Sequence, residues 1–279
     1  MKIIDAHIHF SKIEAFADCA RDNSLVDYSY QGYIREAQAN GVVGSVCMGL
    51  SETTPTAFPD PAAQNPMRAD LADTMPPGMK LCLGINPHTL TPEGVRALDE
   101  EAGSGRVAGF KIYAGYYHTD ANDPVYAPVY ALAQEHDLTV AVHCGDTYSA
   151  RGLLEYSHPL RMDRLAVTHP ELRLVICHMG VPWVFDAAEV AAKNPNVHID
   201  LSGLLVGGTE YIAAMSAKEA ITGRYAQALA YLACWEKVLF GTDWPLAPMS
   251  AYIEFCKTLI PADKWETVFY GNAARVYRF

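Results

Sequence analysis

The 279-residue chain has no cluster of lysine and arginine to set against its acidity, since 32 Asp and Glu face 21 Lys and Arg for a formal net charge of −11. Proteins that grip a phosphate backbone draw their affinity from such clusters, so nucleic acid is not an expected partner. No stretch approaches the roughly 20 apolar residues of a membrane span, and Met1-Lys2 leads into Ile-Ile-Asp without the apolar core of a signal peptide. The seven cysteines, at 19, 47, 82, 144, 177, 234 and 256, form no Cys-x-x-Cys and no cluster. That excludes a disulfide framework and points to reduced thiols, so the expected location is cytoplasmic. Also missing are Gly-x-x-x-x-Gly-Lys-Ser/Thr, Gly-x-Gly-x-x-Gly and Gly-x-Ser-x-Gly, which leaves ATP, nicotinamide and serine-hydrolase readings without an anchor. No Pro/Gly/Ser linker, internal repeat or low-complexity tract divides the chain.

What is present is a repeating alternation. Half the residues are hydrophobic and 19% are charged, ordinary for a globular protein with an ample core. Short β-rich runs fall at 2–9, 44–50, 79–85, 107–113, 138–143, 173–178, 196–202 and 237–242, with helix-like stretches at 31–40, 92–102, 125–136, 185–193 and 211–233 between them. Eight strand–helix alternations predict an α/β fold, a single (β/α)8 TIM barrel occupying residues 1–279 as one domain. Two long connections, Ser11–Ser29 and Ser51–Pro66, are expected at the C-terminal face as lid or specificity loops.

Chemistry-bearing residues collect at one end of these strands. Alternation puts Asp5, His7 and His9 of "IIDAHIHF" on one face and Ile4, Ala6 and Ile8 on the other. The fifth strand ends in His143, the sixth in His178, and the eighth runs into Asp243 of "FGTDWP". Histidines and a carboxylate converging on one barrel mouth suit a divalent metal, Zn2+ foremost, with Mn2+ or Fe2+ as alternatives. Asp5, deeper in the barrel, is expected to orient a ligand or a neighbouring strand.

These motifs, with "VAGFKIY", "AVHCG", "PELRLVICHMGVPW", "NVHIDLSG", "LFGTDWP" and "FYGNAARVYRF", span nearly the whole chain. The chain resembles the amidohydrolase superfamily, in the amidohydrolase-related group that includes aminocarboxymuconate-semialdehyde decarboxylase. The resemblance implies a TIM barrel with one metal held by His7, His9, His143 and Asp243, and a substrate attacked by metal-activated water. It implies that Asp243 shuttles the proton and that His178 acts on the substrate oxygen. In binuclear relatives a lysine at the position of Lys111 is carboxylated and bridges two metals; the group resembled here usually leaves it free.

Other polar residues complete the expectation. His198, Asp200 and Ser202 share one face of the seventh strand as a polar ladder orienting ligands. Cys144 and Cys177 should face the helices, Trp183 and Trp244 are candidate pocket walls, and His88, His118 and His158 lie within reach of a substrate. Arg151 and Arg161 offer a guanidinium to an anionic substrate. The expected function is a metal-dependent hydrolase of a small ester, lactone or amide. The alternatives are a non-oxidative decarboxylase of a small aromatic or unsaturated acid, a nuclease of the TatD type, disfavoured by charge and by Lys111, and a noncatalytic metal-binding protein. A small molecule is the expected partner, with a homodimer or higher homo-oligomer left open.

Overall fold

A computed structural model describes all 279 residues. Eight strands, β1 (Ile3–Ile8), β2 (Val42–Met48), β3 (Met79–Ile85), β4 (Val107–Ile112), β5 (Thr139–Val142), β6 (Arg173–Ile176), β7 (Val197–Asp200) and β8 (Val238–Leu239), pair in parallel and in chain order. Backbone bonds from Ala6 N to Phe240 O at 2.8 Å and from His9 N to Trp244 O at 2.7 Å carry the eighth segment back to the first. The sheet therefore curls into the expected TIM barrel. No helix is long and apolar enough to cross a membrane.

Local chemistry starts and stops the helices. Ser29 accepts a hydrogen bond from Gly32 N at the head of Tyr30–Asn40, and Gly41 ends that helix at φ 70°. Thr91 accepts from Gly94 N at the head of Pro92–Ala102, with Pro92 in the first turn. The stretch expected at 211–233 is two helices, Thr209–Ser216 and Glu219–Leu232, because Lys218 is extended (ψ 105°) and caps the second.

Burial falls into two layers. A cluster of 63 residues joins the outer strand faces to the helices, and a cluster of 13 fills the barrel interior below the site. Ile4, Ala6, Val46, Val175 and Leu239 belong to the inner set, closed off by Val276 and Tyr277 near the C-terminus. Ile4 and Ala6 thus face inward, against expectation, while Ile8 joins the outer layer. The β1 register shifts between Asp5 and Ile8, and such an irregularity resets the alternation beyond it. Cys144 lies in the outer layer as expected, but Cys177 lies in the inner one because it keeps the parity of Val175.

Candidate active site

A cavity of about 550 Å³ opens at the C-terminal ends of the strands, with His9, Lys111, His143, His178 and Asp243 in its wall. Both long connections contribute, the first through Ile13 and Phe16 and the second through Glu52 and Phe58. Asp243 is the hub. Its Oδ1 lies 3.6 Å from His7 Nε2 and 3.3 Å from His9 Nε2, and its Oδ2 lies 3.7 Å from His178 Nδ1. The His143 ring centroid is 4.8 Å from that of His178, and His143 Nε2 sits 2.9 Å from Asp146 O.

Backbone irregularity aims these groups. Asp243 (φ 62°) and His178 (φ 58°) both adopt the left-handed conformation, which turns their side chains off the strand direction. Asp5 secures the first turn: it accepts from Thr242 N at 2.9 Å and Thr242 Oγ1 at 2.6 Å, and Asp243 N donates to His7 O at 2.9 Å. Gly203, at φ +65°, leaves room for both side chains, since a Cβ there would stand 2.8 Å from Asp243 Oδ2 and 2.9 Å from His178 Nδ1. Sequence reasoning passed over Gly203; the glycine after a polar strand end in "DLSGL" was the available sign.

Asp200 lies behind the cluster. His7 Nδ1 is 2.9 Å from Asp200 Oδ2, and Asp200 Oδ1 accepts from His178 N at 2.9 Å and from Ser202 Oγ. Ser202 Oγ also stands 2.9 Å from His178 Nδ1. With Nδ1 engaged by Asp200, His7 presents Nε2 toward Asp243.

Three buried atoms here, His7 Nε2, His9 Nδ1 and Asp243 Oδ1, have no hydrogen-bond partner, and His9 turns its other nitrogen, Nε2, toward Asp243. Buried polar atoms are seldom left so, and these nitrogen and carboxylate donors are the chemistry a divalent cation takes. Burial lowers His7 and His9, pushes His143 well below the ordinary histidine value, and pushes His178 down to about 4. Burial alone would raise Asp243, but His178, His9 and His7 outweigh it and hold the carboxyl well below its usual range. Neutral imidazoles around a carboxylate are the ligating forms. His7, His178 and Asp243 place one donor atom each within 4.8 Å of one another, and so do His7, Cys177 and Asp200.

Several expected site residues stand elsewhere. His198 is at the start of β7, its Nε2 3.5 Å from Arg275 Nη1, and no contact joins it to the cluster. Trp183 packs on His158 at a 4.5 Å ring distance and does not wall the cavity. Trp244 is fully buried against Phe10, Tyr28 and Tyr33 and donates from Nε1 to Glu36. The left-handed turn at Asp243 sends the chain outward just before it, which is why a rim position in sequence became a core position. Arg151 does line the cavity, but its Nη2 donates to the carbonyls of Thr56 (3.3 Å), Ala57 (3.0 Å) and Phe58 and so ties down the second connection. Arg161 pairs with Asp120, and His118 with the carbonyl of Arg151. Lys111 is buried at the cavity floor, with Nζ 2.9 Å from Cys177 Sγ.

A family model described as amidohydrolase matches residues 4–279. No curated protein matches the chain by sequence. Among solved structures, an uncharacterized TIM-barrel protein from Bordetella bronchiseptica aligns with a TM-score of 0.71 at 22% identity, over 99% of this chain and 98% of that one. 5-Carboxyvanillate decarboxylase from Sphingomonas paucimobilis aligns at 0.64 and 18% identity, over 100% and 99%. A probable 2-pyrone-4,6-dicarboxylic acid hydrolase from Acinetobacter baumannii, with citric acid bound, aligns at 0.64 and 17% identity over all of both chains.

Proposed function

Because the chain belongs to the amidohydrolase family, whose members are metal-dependent, we propose that it is a metal-dependent hydrolase of a small ester, lactone or amide. The observation that carries this reading is the pair of unpartnered buried donors, His7 Nε2 and Asp243 Oδ1, with His9 Nε2 3.3 Å from the same carboxylate oxygen. With His143 they would hold one divalent cation, zinc foremost. When bound, such a cation supplies Lewis acidity toward a substrate oxygen and makes water more acidic. The seven free cysteines support a reducing, cytoplasmic setting.

The chain's own groups have separable tasks. Asp243, held as a carboxylate, keeps Oδ2 for the proton when Oδ1 ligates, taking it from the attacking water and returning it to the leaving group. His178, oriented through Ser202 and Asp200, donates to the substrate oxygen on which charge develops. Asp200 fixes the His7 tautomer, and the Phe16 and Phe58 connections shield the reacting atoms from bulk water. The second reading is decarboxylation of a small aromatic or unsaturated acid, with His178 or Asp243 delivering a proton to carbon. The aromatic wall and the likeness of fold to 5-carboxyvanillate decarboxylase favour it.

One experiment addresses both. Purified protein of measured metal content is offered a panel of lactones, esters, amides and aromatic acids, with acid release and CO2 evolution followed in parallel. Hydrolysis that falls by about 10²-fold or more in Asp243→Asn supports the main reading. CO2 release without hydrolysis transfers the assignment to the second, and metal binding without either reaction leaves a noncatalytic metal-binding protein.

A further inference from the structure

Resting on the reading above, we propose that Glu36, on the helix Tyr30–Asn40, is a positioning residue for Asp243, its one carboxylate holding both ends of the turn that aims the reacting carboxylate at the histidines. Glu36 is half-buried, with both oxygens engaged. Its Oε1 accepts from Trp244 Nε1 at 3.2 Å and its Oε2 from Met249 N at 2.9 Å. These donors belong to the residue after Asp243 and to the first residue of the helix Met249–Leu259, so they bracket the turn between them. Both residues are fully buried.

The turn needs such a bracket. Asp243 is left-handed at φ 62°, a conformation that a residue with a Cβ leaves unless its surroundings over-determine it. Asp243 and Leu246 line the cavity, so open space lies on that side of the turn. The helix after it opens behind Pro248 with no side-chain cap of its own, and Glu36 supplies one from another helix, where a negative charge also suits the helix end. On the near side Asp5 holds Thr242, whose Oγ1 accepts from Trp244 N at 3.0 Å. Asp5 thus determines where the chain leaves β8, and Glu36 determines where it returns to the outer layer.

The cost of the arrangement argues that it does more than pack the indole. Trp244 is already enclosed by Phe10, Tyr28 and Tyr33, which hold it without any charge. Burial pushes the Glu36 carboxyl up, and the Met249 and Trp244 N–H groups draw it back. An acid kept from water is costly unless its oxygens are engaged, and here both oxygens engage the same turn. Asp243 stands 3.3 Å from His9 Nε2, 3.6 Å from His7 Nε2 and 3.7 Å from His178 Nδ1, so a shift of the turn changes all three separations together.

The test compares Glu36→Gln with Thr139→Val in the full-length protein. Glutamine keeps one acceptor oxygen but turns an NH2 group toward one of the two N–H donors, which releases one end of the turn. Thr139→Val removes the 2.6 Å bond from Thr139 Oγ1 to Val276 O at the start of β5, the opposite end of the barrel, and so matches the loss of one buried hydrogen bond. Both variants should lose a few degrees in Tm. Glu36→Gln alone should move the NMR ring signals of His9 and His178 in protein freed of metal by a chelator, and should weaken Zn2+ binding in chelator competition about tenfold. Ring signals and Zn2+ affinity that match those of Thr139→Val overturn the positioning role. A parent that takes up no Zn2+ overturns the functional reading, and the ring signals then judge Glu36 on their own. Where Glu36→Gln does not fold, Glu36→Asp, which keeps the charge but is a methylene too short to reach both donors, should give the same signature, and unmoved ring signals there overturn the proposal.

Discussion

Gly203→Ala separates a strained backbone from a crowded site. At φ +65° an alanine costs about 1–2 kcal/mol more than glycine, which at this chain length lowers Tm by a few degrees. The added methyl would also stand 2.8 Å from Asp243 Oδ2 and 2.9 Å from His178 Nδ1, closer than real Cβ contacts come. Neither neighbour yields freely, because Asp243 is fixed by the Asp5–Thr242 bonds and His178 by Ser202 and Asp200. A displacement of the order of 1 Å is expected, and such a misplacement costs about 100-fold in kcat/KM. Gly105→Ala is the matched control, since Gly105 has φ +74° and a methyl added there would meet nothing within 4 Å. Thermal melting, metal affinity by chelator competition and kcat/KM are measured on both variants. Gly105→Ala should lose only the backbone contribution, Gly203→Ala at least as much stability, and Gly203→Ala alone should lose metal affinity and turnover. Turnover within about threefold of the parent in Gly203→Ala would refute the claim that this glycine makes room for the reacting groups.

Elemental analysis should find about one metal ion per chain, lost in His7→Ala/His9→Ala; two per chain would instead indicate a carboxylated Lys111 and a binuclear site. Asp200→Asn should weaken metal binding about 10- to 100-fold through the freed His7 tautomer while leaving the fold intact by circular dichroism, and unchanged affinity would remove Asp200 from that role. Burial, then Arg275, pushes His198 down to about 4, so between pH 6.5 and pH 4 the unfolded chain holds a proton that the folded chain refuses, and stability falls as pH falls. His198→Gln should therefore reduce the stability lost between pH 7 and pH 5 by about 2 kcal/mol in urea melts, and an identical loss in both proteins would contradict it. Arg151→Ala should raise KM equally for neutral and anionic substrates and speed proteolysis within 51–66, whereas a selective loss of anionic substrate would return Arg151 to the substrate-binding role expected from sequence.

The barrel was legible because its strands are apolar runs bounded by turn residues, and each expected window contains one or, for 44–50 against Val42–Met48, overlaps one. The convergence of His9, His143, His178 and Asp243 was legible for the same reason, as all four stand just past strand ends. Parity gave the face of a strand residue but not its depth. His198 shares its face with Ser202, yet four residues at about 3.3 Å each put it some 13 Å lower, at the opposite end of the barrel. The tie that Arg151 makes to the second connection was not legible for another reason: its partners are backbone carbonyls over 90 residues away, which have no side-chain signature.

The deeper misreadings share a cause, the breaking of regular geometry near the site. Asp5 was grouped with His7 and His9 by alternation, and the register shift between Asp5 and Ile8 separates them. Freed from that face, Asp5 bonds Thr242 and so steadies the turn that presents Asp243. Trp244 was placed at the rim by counting onward from β8, and the left-handed Asp243 sends it into the core. Regular strands would point every second side chain into the mouth, spaced too evenly to gather five polar groups around one point. The register shift in β1 and the left-handed residues at His178, Gly203 and Asp243 supply the convergence, so the places where pattern reading fails are the places where the reacting groups are brought together.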